Sequence, residues 1–121
     1  MSLIRAIVTS VLVIFAFNVT ANATTSCRPP LAPTIPNGKT APKADILAAL
    51  MAIKQDFQPA IKNFQNCIAT EKEAVGDVAT ERQIAEWDQL YDAAYALETQ
   101  VAENMNVAIR AFKARIAKKA E

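Results

Sequence analysis

From Ile46 to Ile68 apolar residues recur at steps of three and four: Ile46, Leu47, Leu50, Ile53, Phe57, Ala60, Ile61, Phe64, Cys67 and Ile68. That spacing draws one apolar stripe down an amphipathic helix. A second stripe follows, through Ile84, Trp87, Leu90, Ala94, Leu97, Val101, Met105, Ala108, Phe112 and Ile116. Neither stripe is stable in water, and two of similar length bury each other most simply side by side. The pattern therefore predicts an all-α fold, a long antiparallel two-helix hairpin of coiled-coil type. The expected bounds are a helix over 43–75, a turn over 76–80 and a helix over 81–118, the hairpin as a whole occupying 43–121. Pro42 suits a helix start and Asp45 the positive end of the helix dipole. Gly76 reads as a carboxyl-terminal cap, and Thr80-Glu81-Arg82-Gln83 as a capping box opening the second helix. Pro59 interrupts the first stripe by removing a hydrogen bond to Gln55. Because the stripe continues in phase beyond it, a kink is expected there and not a break. With the loop centred near Gly76, Phe64 falls opposite Trp87, Phe57 opposite Ala94 and Leu50 opposite Val101. The second helix is expected to project past the start of the first.

Ahead of the hairpin the pattern changes. Met1–Ala23 has the layout of a signal peptide: Arg5, an apolar run over Ala6–Val19, and Ala21-Asn22-Ala23 as a small-x-small site before Thr24. A retained anchor is the alternative, but about 14 apolar residues fall short of the roughly 20 that span a bilayer. The Asn-x-Thr tripeptides at Asn18 and Asn22 lie in or across this segment and carry no weight as glycosylation acceptors. Residues 24–42 hold Pro29, Pro30, Pro33, Pro36 and Pro42 and are expected to form an extended, polyproline-like arm with a turn at Pro36-Asn37-Gly38.

The chain of 121 residues holds two cysteines and no histidine. Export would place it where disulfides persist, and Cys27 with Cys67 is then the one intramolecular pairing; two free thiols or a bridge to another chain are the alternatives. An extended arm of about 15 residues reaches about 46 Å, more than the roughly 36 Å of helix it must retrace. Closing that loop is a large fraction of a small domain's stability, since chains of this size bury only about two thirds of their unfolded surface. Trp87, Tyr91 and Tyr95 form an i, i+4, i+8 column at one edge of the seam. They either receive the arm's prolines or finish the core, and they are candidate interaction residues.

Charge narrows the classes of function. The 13 basic and 12 acidic residues become 12 and 12 once Arg5 is removed, so no steering toward nucleic acid is expected. Nine acidic and two basic residues lie between Glu71 and Glu103, while Arg110, Lys113, Arg115, Lys118 and Lys119 make the last turns basic. This suits the helix dipole. It also offers a basic, amphipathic end, with Ile109, Phe112 and Ile116, for anionic membrane or an acidic polymer. Absence of histidine removes the commonest general base and metal ligand. No Cys-x-x-Cys pair or phosphate-binding glycine loop occurs, and Glu86, Asp88 and Asp92 lack the cleft that acid–base chemistry needs. No catalytic residue, cofactor or metal is expected, and the chain is read as a non-enzyme.

Cys27-Arg28-Pro29-Pro30, Ile35-Pro36-Asn37-Gly38-Lys39, Phe64-Gln65-Asn66-Cys67-Ile68 and the run from Met105 to Lys113 together resemble a group of small uncharacterised exported bacterial proteins with a Cys-Pro-rich start and a disulfide-linked helical hairpin. Ile68 stands where that group has leucine, and Pro59 is unusual in it. The resemblance implies export and cysteine pairing, and no activity. The expected role is a structural or protein-interaction module of the bacterial envelope, periplasmic or secreted, with an unknown envelope protein as partner. The alternative is peripheral contact with anionic membrane or acidic polymer through the basic end.

Overall fold

The computed structural model describes residues 25–120; the signal segment expected at 1–23 lies outside them. The described chain is all-α apart from its arm. Helix α1 (Lys43–Ala52) runs through a π-helical turn (Ile53–Phe57) into α2 (Gln58–Val75) as one continuous rod. A 3-10 turn over Gly76–Val78 reverses the chain, and α3 (Glu81–Lys119), 39 residues and about 58 Å long, returns along the rod.

Local signals explain the ends. Asn37 opens the turn before α1: its carbonyl accepts from the Thr40 and Ala41 amides at 3.1 and 2.8 Å, and its side-chain oxygen from the Lys39 amide at 2.9 Å. Pro42 is extended and caps α1, its carbonyl accepting from Asp45 and Ile46. Gly76 ends α2 at φ 60°, where a side chain would be strained. Thr80 and Gln83 close the capping box in both directions, at 3.1 and 2.9 Å, and start α3.

The disturbance at Pro59, where a kink is expected, takes the form of a π turn. Gln58 donates its amide to Ile53, an i→i+5 bond that widens the helix just before the proline ring. Lys54, Gln55 and Asp56 are exposed, so the middle of this turn lies on the solvent side of the rod. The buried positions of the rod, Ile46, Ala49, Ile53, Phe57, Ile61, Phe64 and Ile68, step by 3, 4, 4, 4, 3 and 4. One residue is one too many for a heptad repeat. A π turn absorbs one residue, restoring alternating steps of three and four on both sides of it and keeping the stripe on α3.

Ile61, Ile68 and Trp87 are the most deeply buried large side chains, each worth roughly 1.5–3 kcal/mol of apolar burial. Ala94, Val101, Met105 and Ala108 complete the seam from α3. The register differs from the expected one by a heptad. Phe64 lies at the level of Ala94, Glu71 at that of Trp87, and Lys72 pairs with Asp88 at 2.8 Å. The turn is centred C-terminal to Gly76, and sliding by seven residues keeps every apolar position in the seam, so the hydrophobic pattern alone does not distinguish the two.

The arm runs antiparallel to the rod, along one of the two grooves that the helices form. Pro29 and Pro30 lie by Phe64, Leu90 and Leu97, Pro33 by Ala52 and Phe57, and Pro36 by Ala48 and Ala49. Cys27 is buried and joined to Cys67, with Cα atoms 5.9 Å apart, a normal disulfide span. At its other end Gly38 rests on α3 so closely that a Cβ there would collide with the Ala108 carbonyl. Arg115 donates to the Ala41 carbonyl at 2.7 Å while its guanidinium lies 5.0 Å from the Phe112 ring centre.

Candidate functional site

Three places hold the residues that sequence marks out. The first is the clamp where the arm meets the hairpin. Cys67 is on α2, and one turn later Glu71 projects from the same face. The Ser26 amide and hydroxyl both donate to Glu71 Oε1, at 2.9 and 2.6 Å. These bonds, with further donation from Thr25, hold the Glu71 carboxyl below its ordinary value against the opposing effect of burial. Trp87 contributes only weakly: its Nε1 and Glu71 Oε2 are both buried without a hydrogen bond of full geometry. The Cys27 and Cys67 sulfurs and a Glu71 oxygen lie within 4.8 Å of one another. That is a metal-ligand arrangement only for thiolates, and sulfurs joined to each other have no thiolate charge to give. The clamp is a covalent and hydrogen-bonded fastening.

The second place is the groove opposite the arm. Tyr91 and Tyr95 sit here, 43% and 67% exposed, whereas Trp87 is 1% exposed in the seam. The aromatic column thus divides: Trp87 finishes the core, and the two tyrosines face away from the prolines. The Gln65 amide side chain donates to the Tyr91 carbonyl at 3.4 Å, and Lys54, Gln58, Lys62 and Gln65 line the same side with Glu98. Leu47 and Met51 continue it along α1, on the flank away from the Asp45, Ala48 and Ala52 positions that meet the arm. Ile84 and Ile116 fall on the same side of α3 by heptad spacing from Tyr91 and Tyr95. Among the described residues, six of the nine large exposed apolar side chains lie on this side; Leu31, Val78 and Val107 lie elsewhere.

The third place is the end of α3. Arg110, Lys113, Lys118 and Lys119 are exposed, but Arg115 is partly buried and committed to Ala41 and Phe112. Ile109 and Phe112 pack against the core, which leaves Ile116, 47% exposed, as the apolar residue available beside the basic ones.

Between arm and hairpin a crevice of about 120 Å³ is lined by Pro29, Pro30, Phe64, Leu90, Ala94 and Leu97. Small-molecule sites occupy about 300–1,000 Å³. Among the described residues no helix is long and apolar enough to cross a membrane. Glu71 and Ser26 were not singled out by sequence, and Gly38 only as a turn residue, although Glu71 is legible as the carboxylate one turn beyond the paired Cys67. No protein-family model, curated protein or solved structure matches the chain.

Proposed function

We propose that this protein is a non-enzymatic interaction module of the bacterial envelope, exported by the signal-like segment Met1–Ala23 and binding protein through the groove its own arm leaves open. The observation that carries this reading is the two-sidedness of the hairpin: one groove is covered by an arm fastened at both ends, while the other displays Leu47, Met51, Tyr91 and Tyr95 to solvent. Tyrosine and methionine are the side chains that interfaces favour, combining large contact area with a polar handle or adaptable shape. A disulfide is compatible with an oxidising compartment and supports the envelope assignment to that extent.

The test is photo-crosslinking in intact cells. A photoreactive residue in place of Tyr95 is expected to capture protein, and the same residue in place of exposed Ala32 on the arm is not. Capture at Ala32 with none at Tyr95 would refute the assignment of the face. The membrane alternative is favoured by exposed Lys113, Lys118 and Lys119 beside Ile116, and opposed by the packing of Ile109, Phe112 and Arg115. Co-sedimentation with anionic vesicles that survives neutralising the basic end would end it.

A further inference from the structure

Along α3 the open side carries both signs of charge in a fixed order. We infer that its occupant is a second copy of this chain, docked antiparallel so that two hairpins close into a four-helix bundle with both arms outside. This deepens the reading of the protein as an interaction module and rests on it for the choice of face.

Order of charge is the first argument. Asp88 and Asp92 lie in the first half of α3, and Arg110 and Lys113 in the second, all exposed. Along α3 a partner helix of a single sign would complement one half and be repelled by the other, while Lys54, Lys62 and Lys72 of the rod, with Glu98, lie alongside. An antiparallel copy about a two-fold axis near Gln100 complements both at once: Asp88 comes within one residue of the level of the second copy's Lys113 and Asp92 within two of its Arg110, within reach of these long side chains, and the converse pairs form by symmetry. The Lys72–Asp88 pair already present is exposed on both sides and can share its carboxylate.

Apolar register agrees with the same axis. Residues equidistant from Gln100 meet, so exposed Ile84 comes level with the second copy's exposed Ile116. Ala102, small and exposed, lies near the axis, where two α3 helices must approach most closely. Area is sufficient as well. A face about 50 Å long and two helices, about 20 Å, across offers about 1,000 Å² per copy, against the roughly 800 Å² each partner of a standard interface buries. Because the arm covers the other groove, the assembly closes at two.

Sedimentation equilibrium of the disulfide-intact protein, in the form cells accumulate it, tests this from about 1 to about 200 µM. Twice the monomer mass is expected, with the dissociation constant rising several-fold as salt increases from about 0.05 to about 0.5 M. Tyr95→Asp should raise that constant by about tenfold or more. The double reversal Asp92→Lys with Asp88→Lys should do the same, as should Arg110→Glu with Lys113→Glu. All four together in one chain should restore dimerisation, which only an antiparallel pairing does. Unchanged thermal melting of dilute protein shows that each variant is folded. A monomer throughout the range overturns the proposal even if the Tyr95 crosslinker captures another protein, and so does a dimer that the four-fold reversal fails to rescue.

Discussion

Removing the Cys27–Cys67 bridge by replacing both residues with serine should lower stability by an amount that the loop fixes. The bond closes 40 residues of sequence separation. In the chain-entropy treatment, that closure restricts the unfolded chain by about 13 cal/mol/K, or about 4 kcal/mol near 25 °C. Native contacts modify the figure little, since Cys27 is one small buried side chain and Ser26 and Ala41 hold the arm at either end through Glu71 and Arg115. For a domain of about 100 residues each kcal/mol moves the melting midpoint by roughly 4–8 °C, so a fall of about 15–30 °C is expected. Far-UV circular dichroism during urea and thermal unfolding, with the bridge oxidised, reduced or replaced, is the assay. The reduced parent and the double serine variant should agree within about 1 kcal/mol, and the helical signal before unfolding should be unchanged, since the bridge ties the non-helical arm to α2 and closes no helical turn. A loss below about 1 kcal/mol would refute the reasoning, because it would mean that the arm is held equally well without its covalent tie.

Gly38→Ala places a methyl on the Ala108 carbonyl and should destabilise by about 1–3 kcal/mol through overpacking, whereas Gly76→Ala acts only through its positive φ; urea titration of both separates the two mechanisms. Glu71 has a folded pKa below its ordinary 4.5, so its contribution is fully present above that value and is lost as pH falls through the lower folded one. Glu71→Gln should therefore flatten the decline of the melting midpoint below about pH 5, and a parallel decline in parent and variant would contradict the role given to Ser26. Deleting exposed Gln55 while changing Pro59→Ala removes the extra residue of the π turn and should leave helicity and stability within about 1.5 kcal/mol of the parent, while deleting exposed Asn63 turns the rest of α2 by about 100° and should unfold the hairpin.

The architecture was legible because two independent signals pointed to it. Two stripes with three- and four-residue steps predict a helical hairpin, and two cysteines on either side of a proline-rich stretch favour an arm folded back along it over free thiols or a bridge to another chain. Register was not legible: Phe64 opposite Trp87 and Phe64 opposite Ala94 differ by one heptad and bury the same residues, so the choice falls to the turn and to Glu71, Lys72 and Asp88. Pro59 announced a disturbance but not its kind, since only the spacing of the residues that are buried shows that one too many is being absorbed. Division of the Trp87, Tyr91 and Tyr95 column depends on which groove the arm enters, a choice of side that periodicity along one helix does not contain. Arg115 looked like one more member of the basic end; its bond to the Ala41 carbonyl arises from a contact 74 residues away.

A pair of helices has two grooves, and each is a place where another helix can lodge. Pinning a strap of prolines along one of them, with no amide hydrogens at the ring positions to offer a neighbouring strand, converts a building block that would stack on both sides into one that terminates growth. The bond between Cys27 and Cys67 therefore has a colloidal meaning besides its thermal one. In the assembly proposed above, a reduced molecule whose strap lifts would present a second open groove, and open-ended stacking, which one open side does not allow, becomes geometrically available to it.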